Sequence, residues 1–115
     1  MSINELIYCK IKEVIPVVYP VIADIDTGVV APYAVYRVKT IPGIITKETV
    51  KVAYEVLVFI VCDAFDQAGN LAGETGKKFY ELKEIYTVSP VVCEIKYVEE
   101  DRKYACEMSL TIKER

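Results

Sequence analysis

The stretch VKVAYEVLVFIVC at positions 50–62 constrains the fold of this chain more than any other. Val50, Val52, Tyr54, Val56, Val58, Ile60 and Cys62 put an apolar residue at every even position, the period-two pattern of a strand with one buried face. The odd face starts wet at Lys51 and Glu55 and then becomes Leu57, Phe59 and Val61. A strand in a small sheet usually hides one face and wets the other. This one needs cover on both faces at its far end. APYAVYRV at 31–38 raises the same demand. Pro32 lacks a donor and suits a strand's first position, so residues 33–39 can pair normally beyond it. Tyr33, Val35 and Arg37 alternate with Ala34, Tyr36 and Val38, and the pattern leaves open which tyrosine points inward.

Two helices and a hairpin surround these strands. S-I-N-E at 2–5 is a capping box, in which Ser2 accepts from the Glu5 amide and the Glu5 carboxylate reaches back to the Ser2 amide. Ile3, Leu6, Ile7, Ile11 and Val14 then recur at helical spacing until Pro16. Residues 17–31 hold Pro20, Gly28 and two aspartates and read as an irregular, partly extended connection. KTIPGIITKET at 39–49 reads as a long hairpin loop. Asp63 is a candidate N-cap for a second helix over 64–85, with Ala64, Ala68, Leu71, Ala72, Thr75, Phe79 and Leu82 facing inward. Ser89 and Pro90 mark its exit. In the tail, Val91, Cys93, Ile95 and Tyr97 alternate against Tyr104, Cys106, Met108, Leu110 and Ile112 as a closing hairpin. Of two compatible registers, the one that sets Lys96 opposite Glu107 avoids the like-charge pair of Glu94 with Glu107 and is expected. Neither register puts Cys93 directly opposite Cys106, which argues against a cross-strand disulfide.

The expected order is helix, strand, strand, helix, strand, strand: one α+β domain over 1–115, with a four-stranded, mostly antiparallel sheet and both helices on one face. Leu57, Phe59, Val61 and one face of the 31–38 strand then have no internal cover. An apolar patch of that kind on a soluble protein marks a protein interface.

Composition narrows the function by exclusion. The 115 residues are 53% hydrophobic and 27% charged, the profile of an ordinary globule. No apolar run approaches the roughly 20 residues that cross a bilayer. The opening MSINELIY lacks the basic start and apolar stretch of a secretory signal, so a cytoplasmic location is expected. A net charge of -3 with mixed signs offers no basic stripe for sequence-specific nucleic-acid binding. Cys9, Cys62, Cys93 and Cys106 form no C-x-x-C pair and the chain has no histidine, so they read as small hydrophobes in a reducing compartment.

Catalytic constellations are scarce: no G-x-S-x-G, no phosphate loop and no helical metal pair occurs, so neither an enzyme nor a cofactor is expected. Asp24, Asp26, Thr27 and Gly28 contain D-T-G, the short motif of aspartic proteases, in which Asp26 from two subunits would activate a water. Val29 follows where such proteases carry a small residue, and a turn is the simpler reading. The same fragment lacks the distal glutamate of a calcium loop. Glu99, Glu100 and Asp101 fall at the hairpin tip, where a solvated turn is expected. A homodimeric ligand-binding protein is a further alternative, but no convergent polar set marks a pocket. Tyr54, Tyr97 and Tyr104 fall on core faces, leaving Tyr33 and Tyr36 as the tyrosines open to contact.

The N-terminal helix, the Pro20 turn, the P-Y-A-V-Y strand entry, the β-arm VAYEVLVFIVCDAF leading into DQAGNLAGETGKKFYEL, and the hairpin EIKYVEEDRKYACEMSLTIK together resemble the tail completion proteins of long-tailed bacteriophages, also called tail terminator or head-tail joining proteins. The resemblance spans nearly the whole chain, which departs from a typical member in its several helix glycines. It implies a structural protein, commonly prophage-encoded, that assembles in the bacterial host cytoplasm and ends in the virion tail. It would form a ring, expected to be a hexamer, at the head-proximal end of the tail tube, ending tube growth and joining tail to head. The implied partners are other copies of the chain, the tail-tube protein and the head-tail connector. The implied subunit interface comprises Tyr33, Val35, Ile41, Ile44, Ile45, Leu57, Phe59 and Val61.

Overall fold

The computed structural model describes residues 2–20, 32–41, 52–100 and 102–114. Among them, α1 (Ile3–Lys12) is followed by β1 (Val18–Pro20), β2 (Tyr33–Ile41), β3 (Ala53–Cys62), α2 (Phe65–Tyr80), a 3-10 turn (Glu81–Glu84), β4 (Tyr86–Val88), β5 (Val92–Val98) and β6 (Lys103–Glu114). The architecture is α+β, with two helices and a six-stranded, mostly antiparallel sheet rather than the four strands expected.

The two added strands are short and sit at the sheet's margins. β1 lies within the stretch read as irregular and runs parallel to β2, Val18 beside Ala34 and Tyr19 beside Val35. Three residues with a proline at the end carry too little alternation to announce a strand. β4 follows directly on α2 and its 3-10 turn. The α-helix ends at Tyr80, earlier than the periodicity suggests, and Tyr86-Thr87-Val88 then pairs with the end of β6. β-branched Thr87 and Val88 favour this extended state.

β3 is central, between β2 and β6; β4 and β5 share the other edge of β6. Between those two edge strands the chain jogs at Ser89-Pro90. Ser89 donates its amide to the Thr111 carbonyl (2.9 Å), and its hydroxyl accepts the Thr111 amide (2.7 Å). The serine side chain thus replaces a backbone acceptor where proline interrupts the ladder.

The hairpin adopts the register not expected: Glu94 faces Glu107, and Lys96 faces Ala105. The turn decides this. Arg102, in the left-handed region at φ 52°, donates its amide to the Glu99 carbonyl at 3.3 Å. That ties Glu99 to Arg102 and sets Val98 opposite Lys103, from which the rest of the register follows. The like charges are tolerated because the Lys96 ammonium reaches both carboxylates, at 3.9 Å for Glu94 and 3.8 Å for Glu107.

Both helices pack on one face of the sheet. Ile7, Ile11 and Ile15 from the α1 region and Ala68, Ala72, Phe79 and Leu82 from α2 and its turn meet Ala34, Tyr36, Val56, Val58, Ile60, Cys106, Met108, Leu110 and Ile112 in one core. Ser2 caps α1 by accepting the Glu5 amide at 3.2 Å. Small residues let α2 lie close to the sheet: a Cβ on Gly76 would sit 4.0 Å from Met108 Cε. Buried Thr75 satisfies its hydroxyl by donating to the Leu71 carbonyl at 2.7 Å. Asp63 does not cap α2. Ala64 occupies the N-cap with no side-chain bond, while the Asp63 carboxylate accepts from the Lys103 ammonium across the sheet.

Candidate functional site

β2 and β3 are antiparallel with Tyr33 opposite Val61, Val35 opposite Phe59 and Arg37 opposite Leu57. Since alternate side chains share a face, these six residues form one surface, opposite the helices. Tyr36 points inward with Ala34 into the helix-covered core, and Tyr33 points outward, which resolves the question the alternation left open. Burial accounts for the choice: Tyr36 packs against Tyr8 of α1, ring centres 6.2 Å apart and tilted by 48°, and desolvation followed by Tyr8 raises its phenol above the ordinary tyrosine range.

The outer face divides into two zones. On β1, the first half of β2 and the second half of β3 it is apolar, with Tyr19 set edge-on to Tyr33 at 6.5 Å beside Val35, Leu57, Phe59 and Val61, and it turns charged at Arg37, Lys39 and Glu55. Val35 is buried (5% exposed), while Tyr33, Leu57, Phe59 and Val61 are half-buried. On β5 and β6 the same face carries the Glu94–Lys96–Glu107 ion cluster, with Glu107 directly beside Phe59. A depression of about 110 Å³ lies between Val35, Tyr36, Arg37, Leu57 and Phe59. That is well below the ~300–1,000 Å³ of a typical small-molecule site, so the surface suits a side chain from another protein better than a free ligand.

The structure brings together five of the expected contact residues: Tyr33, Val35, Leu57, Phe59 and Val61. Ile41 sits apart at the exposed end of β2, 37% accessible, and Ile44 and Ile45 lie outside the described residues. Asp24, Asp26, Thr27, Gly28 and Asp101 also lie outside them. Glu99 and Glu100 occupy the hairpin turn and are exposed, as expected. Among the described residues, no cluster of metal-ligating side chains occurs, and no helix is long and apolar enough to cross a membrane.

Sequence reasoning missed a second aromatic group, on the helix side near the hairpin tip. Tyr104 packs against Phe65 at 5.9 Å and Tyr97 at 5.0 Å. Phe65 and Tyr97 are 55% and 52% exposed, so Tyr97 is not the core residue its alternation implies. β5 is an edge strand reaching past the helical cover, and position in a sheet is absent from alternation. For the same reason Cys93 is exposed rather than buried; Cys9 is exposed on α1, while Cys62 and Cys106 are buried as expected.

No family model matches the chain, and no curated protein matches it. Its fold is shared with a chain of a solved structure titled "Virion of native gene transfer agent (GTA) particle", at a TM-score of 0.70 and 9% sequence identity, over 98% of this chain and 94% of that one.

Proposed function

We propose that this chain is a structural component of a phage-type particle: a tail completion protein that assembles as a ring at the head-proximal end of the tail tube, stops tube growth and joins tail to head. The fold shared almost end to end with a virion chain is the observation that carries this reading. The open sheet face is its physical counterpart. Tyr33, Val35, Leu57, Phe59 and Val61 form a contiguous apolar surface bordered by charge, the layout of an interface with an apolar centre and a polar rim. In this reading the protein works by binding and not by catalysis. Its partners are other copies of itself, six to a ring, together with the tail-tube protein and the head-tail connector. It assembles in the bacterial host cytoplasm and remains in the virion tail.

Sedimentation velocity over a range of concentrations, alone and with tail-tube protein, tests the proposal. The expected result is a ring-sized species, formed by the chain alone or on tube ends, that Val61→Glu, which faces Tyr33 and Ala105 with no cation opposite, weakens at least about tenfold, since an unpaired charge left in an apolar interface costs more than about 1.4 kcal/mol. A chain that stays monomeric and never engages tube ends would overturn it.

A further inference from the structure

Cys93 on β5 and Cys106 on β6 are diagonal neighbours: Cys93 lies opposite Met108 and Cys106 opposite Ile95. Despite the offset, their Sγ atoms are 2.7 Å apart. Either thiol can donate to the other at this separation, so the two sulfurs are direct neighbours on the same face of the hairpin. The two thiols differ in access. Cys93 is exposed at the sheet margin, whereas Cys106 is buried in the core beneath the helices. We propose that Cys93 and Cys106 form a redox-responsive dithiol, which a low-molecular-weight disulfide converts into an intrachain bond that clamps the edge strand β5 onto β6.

The chemistry balances as two thiol–disulfide exchanges. The exposed Cys93 thiolate attacks one sulfur of the small disulfide, making a mixed disulfide and releasing the first small thiolate. Cys106 then gives up its proton, and its thiolate attacks Cys93 Sγ, expelling the second small thiolate. The two protons lost by the cysteines end on the two released thiols. One disulfide is reduced, and the cysteine pair is oxidised by two electrons. Burial, with the neighbouring Cys93 adding to it, pushes the Cys106 thiol up to about 12. That fits the order of events, in which the exposed sulfur reacts first and the buried one resolves.

The bond would act at a place where clamping matters. β5 forms its ladder with β6 along a margin interrupted by Ser89-Pro90, and Val92, at its start, is 66% exposed. Disulfides persist outside the reducing cytoplasm. If the proposed virion role holds, the clamp would therefore close after particles leave the cell; that timing alone rests on the assembly reading.

The experiment uses the isolated full chain, so its failure is separable from failure of ring assembly. Reduced protein is incubated with oxidised glutathione at neutral pH, quenched with acid, digested with trypsin, which cuts after Lys96, Arg102 and Lys103 between the two cysteines, and mapped without reduction. The expected products are a Cys93–Cys106 cross-linked peptide pair, a chain lighter by about 2 Da, and amide exchange in β5 slowed several-fold. Cys93→Ser, an exposed substitution compatible with folding, abolishes the cross-link, while Cys9→Ser leaves it intact. A product that stops at glutathionylated Cys93 with Cys106 still free, or a cross-link found only between chains, overturns the proposal.

Discussion

The Lys10 ammonium donates to the Glu81 carboxylate at 2.9 Å, joining the last turn of α1 to the start of the 3-10 turn that follows α2. Lys78 adds to the link, reaching Glu81 at 3.5 Å and Glu13 at 3.9 Å. The cluster lies at the solvent boundary, with Glu81 half exposed, and adds to the setting that the buried packing of Ile7, Ile11, Ala72 and Phe79 provides. Its titration has a definite sign. The hydrogen bond from Lys10 is the main cause that lowers the Glu81 carboxyl below its ordinary value, and the same bond raises Lys10. A lowered acid binds its proton more weakly in the folded chain, so its contribution is complete above the ordinary carboxylate range and is lost as pH falls through the folded pKa. The raised lysine contributes below its ordinary pKa, and that part is lost as pH rises through the folded one. Denaturant titrations at neutral pH and below pH ~4 should show a shallower acid-side loss in Glu81→Gln than in the parent chain; an identical loss would place the acid sensitivity elsewhere.

Gly73 lies on the exposed side of α2, and a Cβ there would meet nothing within 4 Å. Alanine removes backbone freedom from the unfolded chain without a steric cost. Gly73→Ala should therefore stabilise by about 0.5–1 kcal/mol, read as a higher denaturant midpoint with an unchanged slope.

Phe79 and Phe59 separate the two faces of the sheet. Phe79 is fully buried between α2 and the core, whereas Phe59 is half-buried on the open face. Phe79→Ala should cost about 3–5 kcal/mol of folding stability. Phe59→Ala should cost the monomer only about 1–2 kcal/mol and show its larger effect in self-association. Equal losses in folding stability would mean that the outer face is as much a core as the inner one.

Arg102 holds the hairpin tip with φ 52°, a conformation that a branched side chain tolerates poorly. Arg102→Val should be less stable than Arg102→Gly by about 1–2 kcal/mol, with the difference seen in thermal melts and in amide exchange of β5.

Much of this organisation was legible in the residues. The even-position alternation of β3, the Ser2 cap, the Ala68-Ala72-Phe79 stripe and the pairing of the last two strands all arise from local periodicity, which acts within one element and needs no knowledge of its neighbours. The α+β class and the apolar surface at Leu57, Phe59 and Val61 follow from the same patterns. Three-residue β1 and β4 escaped because so short a segment has no period to read.

Tertiary structure decided the remainder, wherever the answer depended on what lies across a gap. The choice of Tyr36 over Tyr33 for the interior required α1, whose Tyr8 receives the buried ring. The hairpin register depended on a turn closed through Arg102, and on one lysine positioned to offset two facing carboxylates. Asp63 left its expected capping role for Lys103, a partner forty positions away along the chain. Exposure of Cys93 and Tyr97 came from the edge position of β5, and the contact of Cys93 with Cys106 came from a diagonal that strict opposition excludes. Periodicity assigns a residue to a face; only packing decides what covers that face, and at the sheet's margin and on its open side that cover governs the chemistry.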